Sequence, residues 1–204
     1  SQYVDIYVIR TNAYGDTLWT RTYDKSTSDA AMDVKQTTDS NFIIAAITYD
    51  TTVYKNNIYL IKTDAAGDTL WTKKYFYPLH QVVYSIDQTT DGGYIMTGNT
   101  DNSNGRSLYL IKTNATGDTL WTRTYNPNID NYGYFVRQTK DGGFIICGAT
   151  STGSYIIKTD SLGMVGNGTG IAEVNNPFDF SVYPNPSSGN FTFEVKGIPR
   201  KNAN

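Results

Sequence analysis

The segment Gly-Asp-Thr-Leu-Trp stands at 15–19, 67–71 and 117–121, spaced by 52 and then 50 residues. Chance does not repeat five residues in this way, so the chain is an array of one structural unit. The run before the turn recurs as Tyr7-Val8-Ile9-Arg10-Thr11, Tyr59-Leu60-Ile61-Lys62-Thr63 and Tyr109-Leu110-Ile111-Lys112-Thr113. It returns a fourth time as Tyr155-Ile156-Ile157-Lys158-Thr159. A third marker, Gln36-Thr37-Thr38-Asp39, Gln88-Thr89-Thr90-Asp91 and Gln138-Thr139-Lys140-Asp141, follows each Trp by 17 positions.

One unit reads as four strands, over 83–90, 94–100, 107–113 and 118–125. Asp91-Gly92-Gly93 and Ala115-Thr116-Gly117 supply the reversals, because glycine accepts the positive φ that a tight turn demands. The unit is therefore an antiparallel meander. Ile58-Tyr59-Leu60-Ile61 and Tyr94-Ile95-Met96 are apolar at successive positions, so both faces of the sheet must be covered, as happens when sheets stack face to face. Four-stranded units of about 50 residues stacked radially are the blades of a β-propeller, which closes with four to eight of them. The expected fold is all-β, a partial β-propeller over 1–165: a partial first blade, two complete blades and one nearly complete. Three or so blades are too few to close a ring, and the reading places further blades upstream of Ser1, with uncovered blade faces as the alternative.

Gly 18 and Tyr 17 in a chain with 18% charged residues suit strands and turns. A net charge of -2 gives no footprint for nucleic acid or for an anionic membrane surface. No apolar run approaches the roughly 18 residues of a membrane-spanning helix, so no membrane insertion is expected. Cys147 stands alone, and no paired Cys/His spacing calls for a metal; no cofactor is expected.

Thr63-Asp64-Ala65-Ala66-Gly67-Asp68-Thr69-Leu70-Trp71 resembles the Asp-Ala, Gly, Leu-Trp turn of quinoprotein-like propeller repeats, departing by one residue between Asp and Gly. It is also similar to the Asp-box turn of sialidase-type propellers, with altered spacing. The resemblance implies that Trp19, Trp71 and Trp121 dock between neighbouring blades; it implies no activity. An exposed aromatic ladder for sugar is the alternative for the three Trp, but it would not require the adjacent Leu18, Leu70 and Leu120. A fully buried Trp of this kind is worth about 3–5 kcal/mol.

Residues 180–195, Phe-Ser-Val-Tyr-Pro-Asn-Pro-Ser-Ser-Gly-Asn-Phe-Thr-Phe-Glu-Val, resemble the opening of the type A sorting domain of type IX secretion. The motif is Tyr183, Pro184, Asn185, Pro186 and Gly189. The resemblance implies export through the type IX secretion machinery and a secreted or outer-surface location. On this reading 166–179 is a linker and 180–204 a truncated sorting domain; a second small β-sandwich module is the alternative. In strand terms the segment is an edge strand stopped by two prolines, a Ser-Ser-Gly turn and the alternating strand 191–195.

What differs between units carries the functional information. From the marker Asp to the following Tyr there are 20, 18 and 14 positions, so length varies only in the loop between second and third strands. In a propeller that loop shares a face with the connection between blades, where function tends to sit. That face would present Tyr49, Asp50, Tyr54 and Lys55; then Phe76, Tyr77, His80, Asp101, Asn102 and Arg106; then Asn128, Asp130 and Tyr132. Aromatics among Asn and Asp suit glycan or protein contact. Weak constraint on exposed loops is the alternative reading of the same divergence.

No catalytic residue is assigned. His80, the only histidine, occupies the place of Ser28 and Asp130, so nothing in the repeat requires it. Cys147 takes the place of Ala45 and Thr97 and is expected to be small and packed. Arg10, Arg21 and Arg123 exchange with Lys62 and Lys73 and are expected at the surface. The functional expectation is a non-catalytic, extracellular or cell-surface binding or adhesion module. The alternative is an accessory or incomplete part of a secreted polysaccharide-active hydrolase or lyase, with a quinone-dependent oxidoreductase third.

Overall fold

The turn before each Trp builds itself from local chemistry. Asp64 Oδ1 accepts the N–H groups of Ala66 and Asp68 at 2.8 and 2.9 Å. Asn114 does the same for Thr116 and Asp118, as do Asn12 and Asp160 in their own turns. An Asx side chain that satisfies two backbone donors makes the reversal without help from the rest of the fold. The fourth copy, at 160–164, closes in the same way although its sequence runs on into Met164 rather than Asp-Thr-Leu-Trp.

The computed structural model describes residues 5–24, 28–76, 79–102, 105–125 and 130–166, and the backbone of three short strands beyond them. The strands are β1 (Ile6–Thr11), β2 (Thr17–Tyr23), β3 (Asp29–Gln36), β4 (Phe42–Asp50), β5 (Lys55–Thr63), β6 (Thr69–Tyr75), β7 (Gln81–Gln88) and β8 (Tyr94–Asn102). They continue as β9 (Gly105–Thr113), β10 (Thr119–Tyr125), β11 (Asn131–Gln138), β12 (Phe144–Thr150) and β13 (Ser154–Thr159). The short strands are β14 (Ala172–Glu173), β15 (Asp179–Tyr183) and β16 (Thr192–Lys196). Among the described residues there is no helix, so the all-β expectation holds.

The strands form antiparallel meanders in chain order: β1-β2, β3-β4-β5-β6, β7-β8-β9-β10 and β11-β12-β13-β14, with β15-β16 as a two-stranded antiparallel sheet of their own. Each first strand carries the same one-residue bulge, at Met32, Tyr84 and Tyr134, where the register against its neighbour shifts. Within 166–179, expected as a linker, lies β14, whose Glu173 and Ala172 pair with Tyr155 and Ile156 of β13 as the fourth strand of that sheet. The β15-β16 antiparallel pair aligns Val182 with Phe193. Tyr183 ends β15, while Pro184, Asn185, Pro186 and Gly189 lie outside the described residues.

Successive meanders stack face to face. Ile6 and Tyr23 pack on Ile44, Ala46, Tyr59 and Ile61. The opposite face of that sheet, Ile43, Ala45, Ile58 and Leu60, meets Val83, Ile86, Met96 and Ile111. Ile95, Leu108 and Leu110 then meet Val136, Phe144, Ile146 and Ile157. Tyr94, Ile95 and Met96 are all buried, which explains why strand sequences lack polar alternation. The first strands approach one another closely, β7 against β3 and β11 against β7.

The Trp residues bind neighbouring sheets together. Trp19, Trp71 and Trp121 lie against Gly67, Gly117 and Gly163 of the next unit's turn, and edge-on to Phe42, Tyr94 and Phe144. All three are half-buried rather than fully buried, so the full-burial energy above is an upper bound. Two expectations are corrected. Arg10, Arg21 and Arg123, expected at the surface, are half-buried; Lys62 and Lys112, which stand at the place of Arg10 in later units, are only 5% and 4% exposed, because each threads back to the Asp of its own hairpin, Asp39 and Asp91. Cys147 is exposed, since no described sheet covers its face of β12, whereas Ala45 and Thr97 are covered.

Candidate functional site

The β4–β5 and β8–β9 hairpins lie on one face with the connections between sheets. Asn56 N–H donates to His80 Nδ1 at 3.1 Å, and Arg106 N–H donates to Asp130 Oδ1 at 2.7 Å. His80 and Asp130 hold the same place in successive units, so the histidine does have a repeat role: it caps the preceding unit's hairpin. That bond assigns the imidazole proton to Nε2. His80 also accepts through its carbonyl from Asp101 N–H and Thr100 Oγ1.

Arg106 organises the centre of this face. Its Nη1 donates to Tyr132 Oη at 2.9 Å, its guanidinium carbon stands 5.7 Å from the Tyr132 ring centroid, and its Nε is 3.6 Å from Asp101. The hydrogen bond to Tyr132 is the foremost cause raising the Arg106 pKa. A Cβ on Gly105, whose φ is 129°, would stand 2.4 Å from Asp130 Oδ1, so only glycine lets Asp130 reach the Arg106 amide. Tyr132 stacks on Tyr134 with centroids 6.0 Å apart, and Tyr134 meets Tyr84 edge-to-face at 5.3 Å. Burial, then the neighbouring Tyr134, pushes the Tyr84 phenol up.

Beside these rings lies a cavity of about 290 Å³, lined by Asn56, His80, Tyr84, Asn99, Asp101 and Arg106. Asn99 is 3% exposed, and its Oδ1 has no hydrogen-bond partner among the described residues.

Of the residues singled out from sequence, His80, Arg106 and Tyr132 come together with Asp101 and Asp130. Tyr49 is half-buried in β4, with its amide bonded to Ser28 O. Tyr54 stands exposed at the β4–β5 tip with φ 55°. Phe76 is exposed, with Lys74 Nζ 4.9 Å from its ring centroid; Lys74 also bridges to Asp50 at 3.2 Å. The Thr52 hydroxyl, then its amide and Lys74, hold the Asp50 carboxyl at about 2. Tyr77 and Asn128 lie outside the described residues. Sequence reasoning missed Tyr84, Tyr134 and Asn99. The two Tyr recur 50 residues apart at the bulge, a signal that was legible but resembles scaffold repetition.

The chain matches no protein-family model, and no curated protein matches it.

Proposed function

We propose that this chain is a non-catalytic recognition module, a run of β-propeller blades that binds a glycan or protein through the face carrying the inter-sheet connections. The observation that carries this reading is the joining of Arg106, from one meander, to Asp130 and Tyr132 of the next. Two sheets thereby build one rigid polar and aromatic surface, as a binding site on a repeat array requires. The face-to-face order of the meanders and the close approach of their first strands support the propeller assignment. Binding is favoured over turnover because both carboxylates of the cluster already face the Arg106 cation or amide, which leaves neither set up as a free acid or base.

The Tyr-Pro-Asn-Pro segment at 183–186 supports export by type IX secretion, to the outer surface or the medium. The test is depletion of the purified protein by a panel of cell-surface polysaccharides and by whole cells, with reducing ends assayed in parallel. Retention without new reducing ends upholds a binding module. New reducing ends would transfer the chain to the polysaccharide-active hydrolases or lyases.

A further inference from the structure

We infer that the cavity beside Tyr84 takes a single uncharged pyranose ring, the terminal or branching unit of a neutral glycan. This deepens the recognition reading above and rests on it. Ligand pockets run from about 300 to 1,000 Å³, so a cavity of about 290 Å³ suits one ring rather than an extended chain.

The polar groups come in both kinds. Asn99 Oδ1 is a buried acceptor with no donor among the described residues, a group that costs stability unless a further donor satisfies it. Asp101 adds carboxylate acceptors, while the Arg106 guanidinium and the His80 Nε2–H supply donors. Sugar hydroxyls donate and accept at once and match such a mixed lining. Tyr84 gives the apolar wall: the electron-rich face of a phenol ring accepts the electropositive C–H face of a pyranose. Tyr134 packs on Tyr84 and limits its rotation.

Charge decides against acidic sugars. Arg106 is the one Lys or Arg among the described residues that line the cavity, and it is answered by Asp101 at 3.6 Å and by Asp130 on its own amide. A carboxylated sugar would bring a third negative charge to a cluster already balanced toward the negative.

The probes are D-glucose, D-galactose, D-mannose, N-acetyl-D-glucosamine and D-glucuronate, titrated into the full chain and followed by two-dimensional amide NMR. At least one neutral sugar is expected to shift the amides around Tyr84 and Arg106, with Kd on the order of 1 mM. Tyr84→Ala should weaken binding at least tenfold and Tyr84→Phe no more than threefold. Asn99→Leu should abolish binding while leaving thermal stability equal or higher, because it removes an unsatisfied buried acceptor; a merely structural Asn99 would give the reverse. D-glucuronate is expected to bind more weakly than any neutral sugar that binds. Overturning results are no shift with any neutral sugar, tighter binding of glucuronate, or an undiminished Asn99→Leu variant. If the chain is still retained by polysaccharide or cells after such a result, only the cavity assignment falls; if retention is lost as well, the recognition reading falls with it.

Discussion

The ring of Trp71 comes within 3.0 Å of the point where a Cβ on Gly117 would stand, 46 residues further along the chain and in the next sheet. Trp19 with Gly67 and Trp121 with Gly163 repeat the contact at 3.0 and 2.9 Å. Gly117 also has φ 80°, so it carries both a conformational and a packing requirement. Gly15 has φ 88°, but no described residue comes within 4 Å of the point where its Cβ would stand, and it carries the conformational requirement alone. Gly15→Ala should cost about 1 kcal/mol, from the left-handed backbone. Gly117→Ala should add about 1–3 kcal/mol of overpacking against Trp71. Urea denaturation of the two variants measures the difference, and equal losses would show that the Trp gives way freely.

The same turn is held by a second clasp. Tyr75 Oη donates to Gly117 O at 2.6 Å, and Tyr23 and Tyr125 do likewise to Gly67 and Gly163. Tyr75→Phe should cost about 1–2 kcal/mol, since the carbonyl loses its partner.

Burial raises the phenols of Tyr75, Tyr125 and Tyr155 and pushes Tyr94 up to about 12. A raised folded pKa leaves stability intact below the ordinary value of 10.0 and erodes it as pH climbs toward the folded value. Stability should therefore fall above pH 10, and an absorbance titration of phenolate should show late-ionising tyrosines released together on unfolding.

At the acid end the hairpin carboxylates matter. Burial opposes ionisation of Asp91, but hydrogen bonds from Lys112, Thr89 and the Gly93 amide prevail and hold it at about 2, against 3.8 ordinarily. Asp39 is held at about 2 in the same manner, its hydrogen bonds from Thr37 and Lys62 outweighing burial. A lowered folded pKa contributes stability above 3.8 that is lost as pH falls toward 2. The urea midpoint should drop between these values. Lys112→Met should flatten the slope while changing stability at pH 7 by only about 1–2 kcal/mol, because Asp91 is exposed enough to be solvated. An unchanged slope would remove Lys112 from the account.

Cys147 shares its sheet face with Ile156, and both are exposed. A thiol-disulfide reagent should titrate one thiol in the native protein within minutes, without denaturant. A thiol that reacts only after unfolding would mean that another surface covers this face in solution.

The repeat period, the antiparallel meander and the two recurring turns, at 91–93 and 115–117 in one unit, were legible in the sequence. An Asx residue three positions before a glycine, or Asp-Gly-Gly between apolar runs, acts through hydrogen bonds spanning two to four residues. Unbroken apolar runs such as Tyr94-Ile95-Met96 likewise announce a sheet covered on both faces. Tertiary structure alone decided the rest, because it depends on which faces meet. Cys147 takes the same place as Ala45 and Thr97, but no described sheet is laid over it. Lys62 and Lys112 look like surface cations until their ammonium groups fold back on Asp39 and Asp91, more than 20 residues earlier. The cavity at Tyr84 draws Asn56, His80, Asn99 and Arg106 from four separate strands and connections, and the Asn99 oxygen, without a partner among the described residues, has no signature in the chain, since such an acceptor is defined only by what fails to reach it.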